Sequence, residues 1–282
     1  MTEGTIWKHI LLFSIPLILG NMLQQLYNTV DSIVVGNSLG SEALAAVGSS
    51  SSLISLLISF SMGAAAGAGV IVSQFIGAQN EKGVHESVHT ALAIALILGV
   101  VLTVLGVTLS PQILRWMGTP DEVMPQSVIY LRLYFAGLLF SVLYNMASGI
   151  LNAVGNSKRS LLYLAIASFT NIVLDLLFIP VLKMGIAGAA IATDISQVLS
   201  AVLCMLYLIR VDESYKVALR KIRIYKEVAV RIIQVGVPTA IQNTVILLQM
   251  YWFSPVSTAM VHWLWQDLQL ISRSTDLIFC RL

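Results

Sequence analysis

The chain has 282 residues, of which 57% are apolar and 11% are charged, and its formal net charge is +2. Soluble domains carry about 45–50% apolar and about 25% charged residues, so the composition excludes a soluble enzyme and a nucleic-acid-binding domain. Two cysteines, Cys204 and Cys280, are too few for a secreted disulfide scaffold. The sequence is therefore that of a membrane protein.

Long apolar segments predict membrane-spanning helices, because about 20 such residues cross a hydrocarbon core of roughly 30 Å. Six complete spans and the beginning of a seventh follow one another along the chain. We place the six spans at residues 11–35, 45–76, 88–109, 127–151, 161–182 and 186–209, and the seventh from 228 to at least 248. Lipid offers the backbone no hydrogen-bond partners, so the predicted class is an all-α polytopic membrane protein.

The basic residues predict a multi-pass protein of the cell membrane with a cytoplasmic amino terminus. This orientation places on the inner side Lys8, Lys82, Lys158, Arg159, Arg210, Lys216, Arg220, Lys221, Arg223, Lys226 and Arg231. It places on the outer side Arg115, Arg132 and Lys183. Such an excess of Lys and Arg on the inner side is the usual bias of membrane proteins.

The same pattern divides the chain into a complete lobe, a linker and part of a second lobe. We expect residues 1–209 to form a six-helix transmembrane lobe, residues 210–227 a basic cytoplasmic linker, and residues 228–282 an incomplete second lobe with an aberrant tail.

Two of the predicted spans share a proline pattern that indicates an internal repeat. Pro16 precedes Asn21 by five residues in the first span, and Pro238 precedes Asn243 by the same spacing in the seventh. A repeat that follows six spans keeps its orientation in the membrane, as in transporters built from parallel repeats. Because proline removes a backbone hydrogen bond, we expect Pro16 and Pro238 to mark helix bends.

Three acidic residues, Asp31, Asp175 and Asp194, lie inside the predicted spans. A carboxylate at the centre of a bilayer costs about 2.5–3.5 kcal/mol or more. Arg132, near the outer end of its span, could pair with one of them, so ion pairing explains the acids incompletely. The structural alternative is a protonated carboxyl that hydrogen-bonds to a neighbouring helix.

A cation site is predicted around Asp31 and Asp175. Asn171 and Asp175 are four residues apart and share one face of a helix, and Thr193 in the next span adds a hydroxyl. Carboxylate, amide and hydroxyl oxygens are hard ligands that suit Na⁺ or a proton better than a soft metal. Two carboxylates in a medium of low dielectric constant disfavour each other's ionisation, so Na⁺ and H⁺ could compete there.

Other polar residues of the spans are weaker candidates for a substrate cavity or a metal site. The cavity candidates are Gln24, Tyr27, Asn28, Tyr144 and Asp194. Aromatic and acidic side chains suit an organic cation, although packing is the simpler interpretation of the tyrosines. His85 and His89 have the helical spacing of zinc ligands, but without an evident third ligand we interpret them as a solvated start of a helix.

Several motifs in this order resemble the multidrug and toxic compound extrusion (MATE) family, closest to its bacterial and archaeal branch. The matching segments are LYNTVDSIVVG at 26–36, EALAAVG at 42–48, YLR at 130–132, NAVGNSK at 152–158, NIVLD at 171–175 and GIAGAAIAT at 185–193. The resemblance covers about residues 5–246. It implies one six-helix lobe of a two-lobe (6+6) transporter plus the first helix of the second lobe.

The resemblance also implies a function and a site. Members export cationic or amphipathic compounds in exchange for Na⁺ or H⁺ by alternating access, so we expect an antiporter in the lipid bilayer that is not an enzyme. The coupling ion replaces any cofactor, and nucleic acid is not a partner. The family's cation site corresponds to Asp31, Asn171, Asp175 and Thr193, the residues already selected by their polarity and spacing.

The resemblance has two departures. Ser160 stands where the family commonly has proline, and the similarity stops after about Ile246. From this we expect a truncated or frame-shifted product that is inactive alone, with a half-size protein that forms a homodimer as the alternative.

Two other functions stay open at this point. A lipid-linked sugar flippase of related architecture would need basic residues in its cavity to bind pyrophosphate. A non-transporting membrane protein would use the acids for packing or for partner binding.

Overall fold

The computed structural model describes residues 6–246 of the chain as a bundle of long helices. The helices are α1 (Ile6–Leu39), α2 (Ser41–Gly77), α3 (Glu81–Trp116), α4 (Met124–Ala153), α5 (Ser157–Leu176), α6 (Ile186–Arg210) and α7 (226–246). Within these residues there is no strand, which confirms the all-α prediction. The predicted aberrant tail and the end of the seventh span, residues 247–282, lie outside the described residues.

Within residues 6–246, five helices, α2 to α6, are each long and apolar enough to cross a membrane. The 34 residues of α1 would extend about 51 Å at 1.5 Å per residue. Polar side chains recur along its second half, among them Gln24, Asn28 and Asp31. All six predicted complete spans are helices, and α1 differs from the others because part of its surface is polar.

The turns between the helices form where the sequence permits unusual backbone or supplies a cap. Gly40, with φ +87°, separates α1 from α2, and Gly185, with φ +64°, precedes α6. These positive φ angles favour glycine because it lacks a Cβ. The side chain of Asn80 caps α3 by accepting a hydrogen bond from the Gly83 amide at 3.0 Å.

The end of the fifth span differs from the rest of its helix. After α5 the chain continues as a π-helical turn, Leu177–Val181, which contains Pro180. Proline has no amide hydrogen for the regular bond, and a widened turn accommodates its ring. This turn and α5 together correspond to the predicted span 161–182.

α4 is the central helix of the described lobe, and it packs against α2, α3 and α6, while α1 packs against α5. Phe135, Leu138 and Ile150 on α4 are almost fully buried. A methyl group at Gly106 of α3 would overlap the ring of Phe135. The small residue thus lets α3 approach the centre of the bundle closely.

α7 lies against α2 where small residues face each other. A methyl group at Gly63 would overlap Ala240, and one at Gly67 would overlap Gly236 and lie 2.9 Å from the Ile232 carbonyl oxygen. Small residues four apart permit such close backbone contact between membrane helices. The first helix of the second lobe is therefore packed directly on the first lobe.

Candidate functional site

Three polar side chains of α5 and α6 meet in the interior of the bundle. Asn171 and Asp175 on α5 are 1% and 0% exposed, and Thr193 on α6 is 7% exposed. Asn171 Nδ2 donates a hydrogen bond to Thr193 Oγ1 at 3.4 Å, and that hydroxyl donates to the Ala189 carbonyl at 3.0 Å. The shared helix face predicted for Asn171 and Asp175 thus points inward, toward Thr193.

Acceptor oxygens at this place have no hydrogen-bond partner among the described residues. These three buried atoms are Oδ1 and Oδ2 of Asp175 and Oδ1 of Asn171. Buried polar atoms are nearly always paired, and an unpaired buried charge destabilises a protein strongly. This oxygen cluster therefore has the chemistry to hold a proton or a hard cation.

Asp31 of α1 lies next to the cluster but is more open. Its side chain is half-buried, and one carboxylate oxygen, Oδ1, is buried without a partner in the described residues. It is close enough to Asp175 for the two charges to interact. A cation shared by the two carboxylates would relieve that repulsion.

Asp31 also lines a cavity of about 530 Å³. The polar lining residues are Gln24, Gln25, Tyr27, Asn28, Asp31, Ser32, Ser51, Ser55, Tyr130, Tyr134 and Thr193, and the apolar ones are Val47, Ile54 and Ile58. Thr193 touches both the cavity and the buried cluster, so it connects the two. Asp175 and Asn171 are absent from this lining and lie behind it in the described bundle.

Tyr130 and Tyr134 belong to this wall, although sequence reasoning did not select them for the site. They are four residues apart on α4, both buried, with ring centroids 6.3 Å apart. Both rings lie within electrostatic range of Asp31 and Asp194. Their i, i+4 spacing was the available signal, since it places them on one helix face.

Two other cavity candidates lie outside this lining. Tyr144 is a buried core residue further along α4. Asp194 is half-buried beside Gly137 of α4. A methyl group added at Gly137 would overlap the carboxylate of Asp194. Asp194 follows Thr193 directly, so its side chain leaves α6 in a different direction from the threonine hydroxyl.

A second cavity, of about 500 Å³, lies between α1, α2 and α4 and has a different lining. Small and apolar residues dominate it, and Asn145, Ser148 and Asn152 are among its polar groups. It carries no acidic side chain among its lining residues, so the cavity beside Asp31 is the better cation site.

Basic residues do not neutralise the three acids of the spans in the described part of the chain. The ion pairs found there are Lys82–Glu86 at 3.9 Å, in the first turns of α3, and Lys216–Asp212 at 3.2 Å, in the segment after α6. Arg132 is exposed on α4. Structural ion pairing, one interpretation of the acids, therefore receives no support from these contacts.

The two prolines chosen as bends lie inside continuous helices. Pro16 is buried within α1, which runs unbroken from Ile6 to Leu39. Pro238 is exposed within the described part of α7. Both helices lose one regular backbone hydrogen bond at these positions, so each proline remains a candidate place for bending.

Comparisons with known proteins agree with this architecture. A family model described as MatE matches residues 16–177. The chain is 35% identical over 245 residues to the "Probable multidrug resistance protein YpnP" of Bacillus subtilis (strain 168), which covers 87% of this chain and 55% of that protein. The chain spans about half the length of the curated relatives it matches.

Solved structures share the same helix arrangement. One described as "Crystal structure of MATE in the bent conformation" aligns with a TM-score of 0.84 and 31% identity, over 91% of this chain and 57% of that chain. Another, "Outward-facing conformation of a multidrug resistance MATE family transporter of the MOP superfamily", aligns with a TM-score of 0.83 and 31% identity, over 90% and 56% of the respective chains.

Proposed function

Because the chain belongs to the multidrug and toxic compound extrusion family, we propose that it forms the cation-coupling lobe of an antiporter that exports cationic or amphipathic compounds. The observation that carries this proposal is the buried carboxylate of Asp175, which has no partner among the described residues and lies beside a cavity lined by Asp31. A buried acid of this kind in a membrane helix marks an ion pathway by default.

The coupling follows from the two acids having different surroundings. Asp175, in the buried cluster with Asn171 and Thr193, binds Na⁺ or H⁺, while Asp31 in the cavity wall can contact either the ion or an organic cation. Occupation of the cluster neutralises the negative charge of Asp175 beside the cavity and weakens the binding of a cationic substrate. The effect is reciprocal, because each ligand changes the other's affinity by the same factor.

The substrate class follows from the wall of the cavity. Tyr27, Tyr130 and Tyr134 supply aromatic surface beside Asp31, and a carboxylate with aromatic rings attracts an organic cation. The relatives named as multidrug resistance proteins are consistent with such compounds. The protein acts as a transporter rather than an enzyme, in the plasma membrane, with its amino terminus in the cytoplasm.

The lining of the cavity argues against the flippase alternative. A lipid-linked sugar carries pyrophosphate, which needs Lys or Arg, whereas the charged residue among the lining residues is Asp31. The non-transporting alternative differs in a measurable way, because it requires no competition between an organic cation and Na⁺ or H⁺.

The proposal is tested by binding of tetraphenylphosphonium to the purified 282-residue chain in lipid nanodiscs, with and without Na⁺ and between pH 5 and 8. We expect Na⁺ or acid to weaken binding. Asp31→Asn should lower the affinity about tenfold, which corresponds to about 1.4 kcal/mol. Asp175→Asn should strongly reduce the dependence on Na⁺ and pH, and the remaining dependence belongs to Asp31.

Asp121→Asn is the matched control, since Asp121 is exposed in the turn between α3 and α4. It should bind like the wild type. Unchanged affinity in Asp31→Asn together with unchanged ion dependence in Asp175→Asn, both in folded protein, would contradict the proposal. In a two-lobe protein that contains this lobe, each of the two site substitutions should also abolish export.

A further inference from the structure

The segment between α6 and α7, residues 211–225, is attached to the lobe by side chains of α3. The Ala218 amide donates a hydrogen bond to His89 Nε2 at 3.0 Å, and the Tyr225 amide donates to Thr90 Oγ1 at 3.2 Å. The segment also bonds to α6, where the Val217 amide donates to the Leu208 carbonyl at 2.8 Å. We restrict the name linker from here on to residues 211–225, because residues 210, 226 and 227 of the predicted linker belong to α6 and α7.

His89 is buried in this contact. It is 0% exposed, so the sequence-based interpretation of His85 and His89 as a solvated helix start is wrong for His89. The reason is the linker, which returns across the start of α3 and covers the imidazole. A separation of 129 residues hides this contact from any local pattern.

The hydrogen bonds determine which ring nitrogen of His89 carries the hydrogen. Nδ1 lies 2.7 Å from the His85 carbonyl oxygen, which can only accept, so Nδ1 donates. Nε2 faces the Ala218 amide, which can only donate, so Nε2 accepts. The neutral imidazole therefore satisfies both neighbours, and the linker depends on its free lone pair.

The hydrogen bond between the Ala218 amide and His89, called the anchor from here on, lies shortly before α7 in the chain. α7 begins at residue 226, directly after Tyr225, whose amide is held by Thr90. The position of the linker thus sets where the first helix of the second lobe begins. This geometry involves neither Asp31 nor Asp175 and goes beyond the proposed transport function.

We propose that His89 is a positioning residue that holds the linker on the first lobe, and that protonation of its imidazole releases the linker at Ala218. A protonated Nε2 would direct its hydrogen at the Ala218 amide hydrogen, and two donors repel each other. The buried positive charge would also lack an acceptor. Addition of a proton to Nε2 is therefore coupled to loss of the Ala218 hydrogen bond, and acid favours the released linker over the attached one.

The charged groups around the anchor come from both α3 and the linker. On α3, His85 stacks on His89 with ring centroids 4.0 Å apart, and Glu86 lies nearby. From the linker, Lys221 and Arg223 lie within electrostatic range of His85. No carboxylate of the described residues forms an ion pair with either imidazole. Lys221 and Arg223 disfavour positive charge on the His85 ring, and Glu86 has the opposite effect.

Thr90 does not titrate, so its bond to Tyr225 persists in acid. Release is therefore confined to the part of the linker before Tyr225, and α7 stays attached at its first turn. The linker is therefore held by one pH-dependent hydrogen bond, at His89, and one pH-independent hydrogen bond, at Thr90.

The test is a distance measurement between spin labels on the 282-residue chain in nanodiscs, by pulsed electron paramagnetic resonance. Cysteines replace Arg220 in the linker and Lys158 at the start of α5, both exposed, in a chain carrying Cys204→Ala and Cys280→Ala. We expect one narrow distance distribution at pH 8 and loss of that narrow peak at pH 5.5.

Variants of the two histidines separate the proposed role from a merely structural one. His89→Gln supplies an amide oxygen that accepts from Ala218 and does not titrate, so its narrow peak should persist at both pH values. His85→Gln is the control and should keep the pH response of the wild type. A wild-type distribution that is unchanged by pH, or a His89→Gln variant that still responds to pH, would overturn the proposal.

Discussion

Asp194 of α6 packs directly against Gly137 of α4. The three heavy atoms nearest to a methyl group at Gly137 all belong to Asp194. Gly137→Ala should therefore lower the thermal unfolding midpoint of the detergent-solubilised chain, because overpacking costs about 1–3 kcal/mol. Differential scanning fluorimetry measures this change.

Asp194→Gly removes all three of those atoms and provides the matched background. In it, Gly137→Ala should have little effect, which corresponds to a coupling free energy of about 0.5–3 kcal/mol in a double-mutant cycle. Equal destabilisation by Gly137→Ala in both backgrounds would show that the contact with Asp194 is not the cause.

Single residues differ in how far the sequence predicts their place. Asn171 and Asp175 could be paired from spacing alone, because residues four positions apart lie on the same face of a helix. Two polar residues on one face of a membrane helix are unfavourable next to lipid. Tyr130 and Tyr134 could not be assigned, since a tyrosine in an apolar span packs equally well against lipid, core or cavity. Only the packing of α1 against the rest of the lobe makes their face a cavity wall.

At the scale of helices, the contact between α2 and α7 depends on glycine. Gly67→Ala should destabilise the chain, because its methyl group would overlap the backbone of Gly236. Gly48→Ala in the same helix is the matched control, since no described atom lies within 4 Å of a Cβ there. Replacing glycine by alanine within a helix otherwise stabilises it by about 0.5–1 kcal/mol, so the two variants should shift the unfolding midpoint in opposite directions.

Helix boundaries show what hydropathy can and cannot predict. The apolar segment 88–109 predicts the part of α3 that fits the hydrocarbon core, whereas α3 itself extends from Glu81 to Trp116. Polar residues such as Lys82 and Glu86 remain helical because the Asn80 side chain caps the first turn of the helix. Hydropathy detects the boundary of the hydrocarbon core, and backbone hydrogen bonding continues past it.

At the scale of the whole molecule, the proposed orientation makes a prediction about access from each side of the membrane. Asn37→Cys, at the exposed end of α1, should react with an impermeant maleimide added to intact cells. Lys158→Cys, at the exposed start of α5, should react only after the cells are opened. A chain carrying Cys204→Ala and Cys280→Ala supplies the background, and reaction from the opposite sides would contradict the orientation.

The attachment of the linker has a consequence for the order of events during synthesis. His89 and Ala218 are 129 positions apart, and Thr90 and Tyr225 are 135 apart. The ribosome therefore completes α4, α5 and α6 before either bond can form. α7 follows immediately, so a nascent chain whose first six helices have assembled offers a prepared docking surface to the next helix. A chain whose first six helices have not assembled correctly lacks this docking surface, and its seventh helix would enter the bilayer without a surface to pack against.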